Sequence, residues 1–196
     1  TAGINGVIAV NEPLANWSRT KLAISANRVW YVPNFVCQPR TDEAAPELPG
    51  RKGSRIVCVA NLRPQKDHAT LVQAMQIVHR VAPAAHLILV GGGSDLAHIA
   101  RIQAQIRSLN LSAIITWLGE RQDVVAIQRA CDIGVLSSAS EGLPLALIEY
   151  GMAGLSVVAT RVGQCVEVLN EGEAGLLVPP AQPEKLAEAL LTLLRN

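Results

Sequence analysis

From Arg55 onward, short apolar runs alternate with stretches whose apolar positions recur at helical spacing. "RIVCVA" (55–60) reads as a strand, followed by Leu71, Val72, Met75 and Val78 on one helical face until Pro83 stops it. "HLILVGGG" (86–93) reads as a strand and turn; Ser94 is expected to cap a helix carrying Leu96, Ile99, Ile102, Ile106 and Leu109. "IITWLG" (114–119), "DIGVLSS" (132–138), "LSVVAT" (155–160) and "AGLLVP" (174–179) continue the strand series, with helices predicted at about 122–130, 144–153 and 183–195. Strands separated by about 10 to 15 residues of helical pattern imply βαβ units with right-handed crossovers. The expected fold class is α/β: a Rossmann-like, mostly parallel, doubly wound sheet.

The first 36 residues stand apart. "GVIAV" reads as a strand, 12–22 as a helix and "RVWYVPN" (28–34) as a strand. The Pro- and charge-rich stretch 37–54 then reads as a linker or surface loop, leaving 55–196 as the main domain.

Composition narrows the class. Of 196 residues, 49% are hydrophobic and 17% charged, with a formal net charge of +1, the balance of a soluble globular protein with no call for a nucleic-acid partner. Aromatics are only 3%, which argues against base-stacking platforms. Cys37, Cys58, Cys131 and Cys165 form no CxxC pair and read as reduced, structural thiols of a cytoplasmic protein. No apolar run approaches the roughly 18 residues that span a bilayer, and no signal peptide is recognisable. The first residue is Thr1 rather than Met, which reads as a fragment or a processed form.

In open parallel sheets, ligands bind beyond the carboxyl ends of the strands. Five unusual segments follow predicted strands and would share that edge: "NLRPQK" (61–66), "GGG" (91–93), "GERQ" (119–122), "SSASEGLP" (137–144) and "TRVGQ" (160–164). Lys66 would sit at or just before a helix start, where the macrodipole disfavours a cation. An anion such as a diphosphate held with Arg63 would account for it; the bland reading is two solvated cations. Pro144 fits the first position of a helix, with Gly142 permitting close backbone approach and the amides of 142–146 free to face the crevice.

Glu141, just before that helix, reads either as a helix-end charge or as a ligand contact. Glu149 lies on a helix that is apolar on nearly every face, where an unpaired ionised carboxylate is costly. It must therefore pair, with Arg161 as the structural option, or accept hydroxyls such as those of a ribose. "VGGGSD" lacks both the G-x-G-x-x-G spacing and the lysine of a P-loop, and reads as a tight turn. His68, His79, His86 and His98 show no metal-ligand spacing and read as surface or helix-face residues.

"EGLPLALIE" resembles the E-x7-E motif of retaining glycosyltransferases of the GT-B fold, the large family 4 group. The likeness extends through "VCVANLRPQKDHATLVQAM", "LILVGGG", "ITWLGERQDV" and the sequence following the motif, covering about residues 55–195. Residues 6–36 are similar to the end of that family's N-terminal, acceptor-binding domain, including its "VPN".

The resemblance implies a C-terminal half that binds a nucleotide diphosphate sugar and transfers a hexosyl group to an acceptor hydroxyl with retention. Arg63 and Lys66 would hold the diphosphate, Glu141 would touch the donor sugar and Glu149 the ribose. Gly142, Leu143, Pro144 and Leu145 would line the sugar and phosphate site, and the loop 119–122, with Gly119 and Arg121, would lie near the base. Asn61 stands where the commoner family pattern has Arg, with Arg63 two positions on. No metal or other cofactor is implied. The other implied partners are a saccharide or lipid-linked acceptor and the rest of the N-terminal domain. Peripheral membrane contact at the inner face would follow for the intact enzyme. By itself the chain is expected to bind donor without transferring. The alternatives are a nucleotide-sugar-binding module and a nucleotide-sugar epimerase-like enzyme that does not use NAD.

Overall fold

The computed structural model describes residues 3–36 and 46–195. Residues 37–45, which include Cys37 and half of the expected linker, lie outside the described residues.

The N-terminal piece consists of β1 (Val7–Ala9), α1 (Glu12–Thr20) and β2 (Val29–Tyr31), with β1 and β2 parallel. Asn11 starts α1 by accepting the Leu14 amide on Oδ1 at 2.8 Å. Its small core is Ala9, Ala15 and Val29, while Ile8, Trp17, Trp30 and Phe35 remain at least half exposed. Two parallel strands and one helix cannot cover both faces of a sheet, because parallel strands are normally buried on both sides.

The main body is a six-stranded sheet of β3 (Arg55–Val59), β4 (His86–Val90), β5 (Ile115–Trp117), β6 (Ile133–Leu136), β7 (Ser156–Thr160) and β8 (Leu176–Val178). All neighbours pair in parallel, in the order β5-β4-β3-β6-β7-β8. The helices are α2 (His68–Val81), α3 (Leu96–Ser108), α4 (Val124–Arg129), α5 (Leu145–Ala153), α6 (Cys165–Val168) and α7 (Pro183–Leu194).

Successive strand residues face opposite sides, and both sides are buried. Ile56, Cys58, Leu87 and Leu89 pack with Leu71 and Met75 of α2, Ile102 of α3 and Leu190 of α7. Val57, Ile88 and Val90 pack with Ile127 of α4 and Leu147 and Tyr150 of α5. Two buried faces explain the near-continuous apolar runs.

Several local expectations shift. Asp95, not Ser94, caps α3, accepting the His98 amide at 2.9 Å. Pro144 is the capping residue of α5 and Leu145 its first helical residue. The short α6 and the 3₁₀ turn Pro64–Lys66 carry too few residues for a periodic signal. His68, His86 and His98 are buried rather than at the surface, because α2, α3 and β4 press their faces into the core.

The strand order positions the site. The chain builds β3, β4 and β5 outward on one side, then crosses to β6 on the other side of β3. Connections on either side of β3 lead away in opposite directions, which leaves a crevice at the carboxyl ends of β3 and β6.

Candidate active site

The loop after β3 is fixed by the loop after β4. The Ala60 amide donates to the Val90 carbonyl (2.9 Å) and the Leu62 amide to the Gly92 carbonyl (2.7 Å), with the Leu62 side chain buried. Gly91, at φ +145°, is required here: a Cβ would stand 2.3 Å from the Ala60 carbonyl oxygen. After Arg63 the chain makes the 3₁₀ turn that carries Lys66, and Asp67, in a left-handed conformation, caps α2 by accepting from Thr70. Lys66 therefore stands before α2 rather than within its first turn.

The loop after β6 is stitched to the same turn. Ser137 Oγ donates to the carbonyls of Lys66 (3.0 Å) and Asp67 (3.1 Å), and the Ala139 amide to the Gln65 carbonyl (2.8 Å). Thr160 Oγ1 at the end of β7 donates to the Ser138 carbonyl (2.6 Å), tying a third strand end to the cluster.

These bonds bring the Lys66 ammonium to 2.6 Å from Glu141 Oε1, and Ser138 Oγ donates to the same oxygen at 2.6 Å. Only 8% of the Glu141 side chain and 23% of that of Lys66 is exposed, so the pair is largely withdrawn from water. Glu141 is thus not a solvated helix-end charge. An ammonium so far withdrawn from water is a strong site for an anion.

Glu149 lies in the second turn of α5, and its Oε2 accepts from the buried Gln128 Nε2 of α4 at 3.3 Å. It does not pair with Arg161, whose side chain instead stands 3.9 Å from Glu171 at the surface. Arg161 follows β7, whereas Glu149 on α5 faces Gln128 of α4.

Between these walls lies a cavity of about 360 Å³ at the point where the strand order reverses. Asn61, Lys66, Glu141, Leu143, Pro144, Leu145, Glu149 and Arg121 all line it, although they come from three separate segments of sequence. Arg63, Gly119 and Gly142 do not. The Arg63 side chain is exposed beyond the loop, and the Gly142 carbonyl accepts the Gln164 amide at 3.1 Å. Gly91, Gly92, Glu120 and Ala146, from segments expected at this edge, line it as well. Glu120 lay inside the expected base-side loop but carried no signal of its own, and nothing local distinguishes Gln128 from a solvated helix residue. Arg121 is engaged by Asp123 through two bonds of 2.6 and 2.7 Å, which hold the Asp123 carboxyl below its ordinary range.

Among the described residues the cysteines contribute no nucleophile. Burial pushes Cys58 and Cys131 up to about 12 and Cys165 up to about 11, so these thiols remain protonated. The three are buried and free. No helix among the described residues is long and apolar enough to cross a membrane.

Residues 53–196 match the family model described as glycosyl transferases group 1. The chain belongs to this family. It is 30% identical over 195 residues to an exopolysaccharide phosphotransferase of Streptomyces coelicolor, covering 97% of this chain and 20% of that protein. It is also 30% identical over 201 residues to a phosphatidyl-myo-inositol mannosyltransferase of Mycobacterium leprae, covering 98% of this chain and 50% of that one. The chain therefore spans half or less of these two relatives. Among solved structures, Anabaena HepE in complex with UDP and glucose superposes with a TM-score of 0.80 at 21% identity, over 98% of this chain and 54% of that one. That likeness places the group 1 glycosyltransferase chain in the GT-B fold, with the Rossmann-like sheet and switch-point crevice described above.

Proposed function

We propose that the chain is the donor-binding part of a retaining glycosyltransferase, which moves a hexosyl group from a nucleotide diphosphate sugar to an acceptor hydroxyl. The observation that carries this reading is the meeting of Lys66, Glu141 and Glu149 on one cavity at the strand-order reversal, in a chain of the group 1 family. Lys66 holds the diphosphate and offsets charge on the leaving nucleoside diphosphate; Glu141 receives hydroxyls of the donor sugar. Glu149, one oxygen held by Gln128, accepts from the ribose. Leu143, Pro144 and Leu145 shape the sugar and phosphate region, while Asn61 and Arg121 border the cavity toward phosphate and base. Arg63, exposed beyond the β3 loop, reaches the diphosphate only by swinging inward, and Gly119 and Gly142 act through their backbones.

Glu141 and Glu149 are positioning groups on this reading, not a nucleophile and an acid/base. The leaving phosphate accepts the acceptor proton on the face where the new bond forms. No metal is required, because Lys66 and the oriented amides supply the compensating charge.

Residues 1–36 are the remnant of an acceptor domain, a reading supported by the half-exposed apolar side chains around β1 and β2. The isolated chain then binds donor without transferring it, and the intact enzyme works in the cytoplasm, at the inner membrane face when its acceptor is lipid-linked. HepE, crystallised with UDP and glucose, supports the donor class.

Calorimetric titration of the chain with UDP-, GDP- and ADP-sugars tests the reading, alongside transfer assays on the intact protein with and without EDTA. One saturable donor and EDTA-resistant transfer are expected. Absence of binding to all three donors overturns the donor-site assignment, and binding without transfer by the intact protein leaves a binding module.

A further inference from the structure

Strands β3 and β6 pair at only two positions, Ile56 with Ile133 and Val57 with Gly134, whereas β3 and β4 pair along five. The Ala60 amide points to Val90 on the β4 side, so by the alternation of backbone groups the Val59 amide points toward β6. With Val57 opposite Gly134, the next rung of the parallel ladder would run from the Val59 amide to the Val135 carbonyl. That rung is not closed directly. The Tyr150 hydroxyl stands in it, accepting the Val59 amide at 2.7 Å and donating to the Val135 carbonyl at 3.3 Å.

Tyr150 is fully buried and follows Glu149 on α5. Its ring lies against Gly134, where a Cβ would come within 2.5 Å of the ring atoms, so β6 carries a glycine at the place the ring occupies. Burial raises the phenol well above its usual range, which keeps the proton that the donated bond needs. The rung lies immediately before the point where both strands give way to the cavity walls, Val59 to Asn61 on one side and Leu136 to Glu141 on the other.

We propose that Tyr150 is a positioning residue for the nucleotide site, its hydroxyl acting as a spacer that holds the carboxyl ends of β3 and β6 apart and so sets the width of the crevice. The spacer couples three parts of the cavity: the β3 loop through Val59, the β6 loop through Val135, and Glu149 through the adjoining helix position. Removing the hydroxyl leaves an amide and a carbonyl facing each other with nothing between, and a buried pair of that kind either closes on itself or remains unsatisfied. Closing shortens the gap between the walls.

The proposal rests on the donor-site reading for its functional consequence, but its geometry is testable without a ligand. In Tyr150→Phe of the 196-residue chain, a crystal structure is expected to show the Val59 amide bonded directly to the Val135 carbonyl. An unchanged gap between the strands would overturn the spacer role whatever the site binds. In calorimetry with the donor found for the parent chain, Tyr150→Phe is expected to weaken binding about tenfold or more.

Leu147→Ala is the control, because Leu147 is buried on the same helix and does not line the cavity. It is expected to lower the melting temperature at least as much as Tyr150→Phe while leaving affinity within about twofold. Equal affinity losses in the two variants would reduce Tyr150 to ordinary packing. A parent chain that binds no nucleotide would instead count against the donor-site reading, leaving the strand gap to decide the spacer.

Discussion

The Lys66 ammonium and the Glu141 carboxylate, 75 positions apart in the chain, meet at 2.6 Å across the crevice between β3 and β6. This ion pair holds the long Lys66 side chain in place on the cavity lining. On the proposed function, an incoming diphosphate would compete with Glu141 for Lys66, and sugar hydroxyls would then occupy the carboxylate's remaining hydrogen-bonding capacity.

Replacing Lys66 by Ala in the intact enzyme is expected to lower turnover by about 10² or more, the usual effect of losing one donor to a developing negative charge. The substitution also leaves Glu141 with Ser138 alone, so thermal melts belong beside the kinetics. Near-normal turnover would reject the diphosphate role.

For Glu149→Ala, nucleotide affinity is expected to fall about tenfold, with the melting temperature little changed. Its one protein partner among the described residues is Gln128, at 3.3 Å, too long for a strong structural bond. Unchanged affinity in calorimetry together with a sharply lower melting point would make Glu149 a structural residue.

His68 gives a pH dependence of stability. Burial, aided by the neighbouring His98, lowers its folded-state value from 6.5 to about 4, and neither ring nitrogen has a hydrogen-bond partner among the described residues. Between those values the unfolded chain holds the proton and the folded chain does not. Stability is therefore full above about pH 6.5 and declines as the pH falls toward 4, by about 3 kcal/mol at most from this residue. Urea midpoints across that range should flatten in His68→Leu; an unaltered slope would assign the effect to other groups.

Native thiol reactivity should be confined. At pH 8, Cys58, Cys131 and Cys165 are buried and protonated, so an aromatic disulfide reagent should modify none of them before unfolding. Any fast reaction of the folded chain should vanish in Cys37→Ser. Persistence of fast labelling in that variant would show that one of the three buried thiols opens readily.

Much of the fold was legible because its strands are buried on both faces. Runs such as 55–60 and 86–90 stand out as apolar without alternation, and helices such as α2 and α3 carry one apolar stripe each. Parallel strands put all their carboxyl ends on one edge, so the loops that line the cavity could be collected before any contact was known. The ends of elements were less legible. The cap at Asp95, the 3₁₀ turn at Lys66 and the four-residue α6 are decided by single hydrogen bonds rather than by a repeat.

The sequence by itself determined the alternation of strands and helices, the parallel sheet and the segments that gather at its edge, because hydrophobic burial acts element by element and leaves its period in the chain. Only the tertiary structure decided that Lys66 turns inward while Arg63 stays in solvent, and that Glu149 meets Gln128 rather than Arg161. It also decided that the buried His68 ring has no hydrogen-bond partner among the described residues and that Tyr150 occupies a rung of the sheet. Those outcomes depend on β3 and β6 becoming neighbours, a pairing of segments more than 70 positions apart that no local period records.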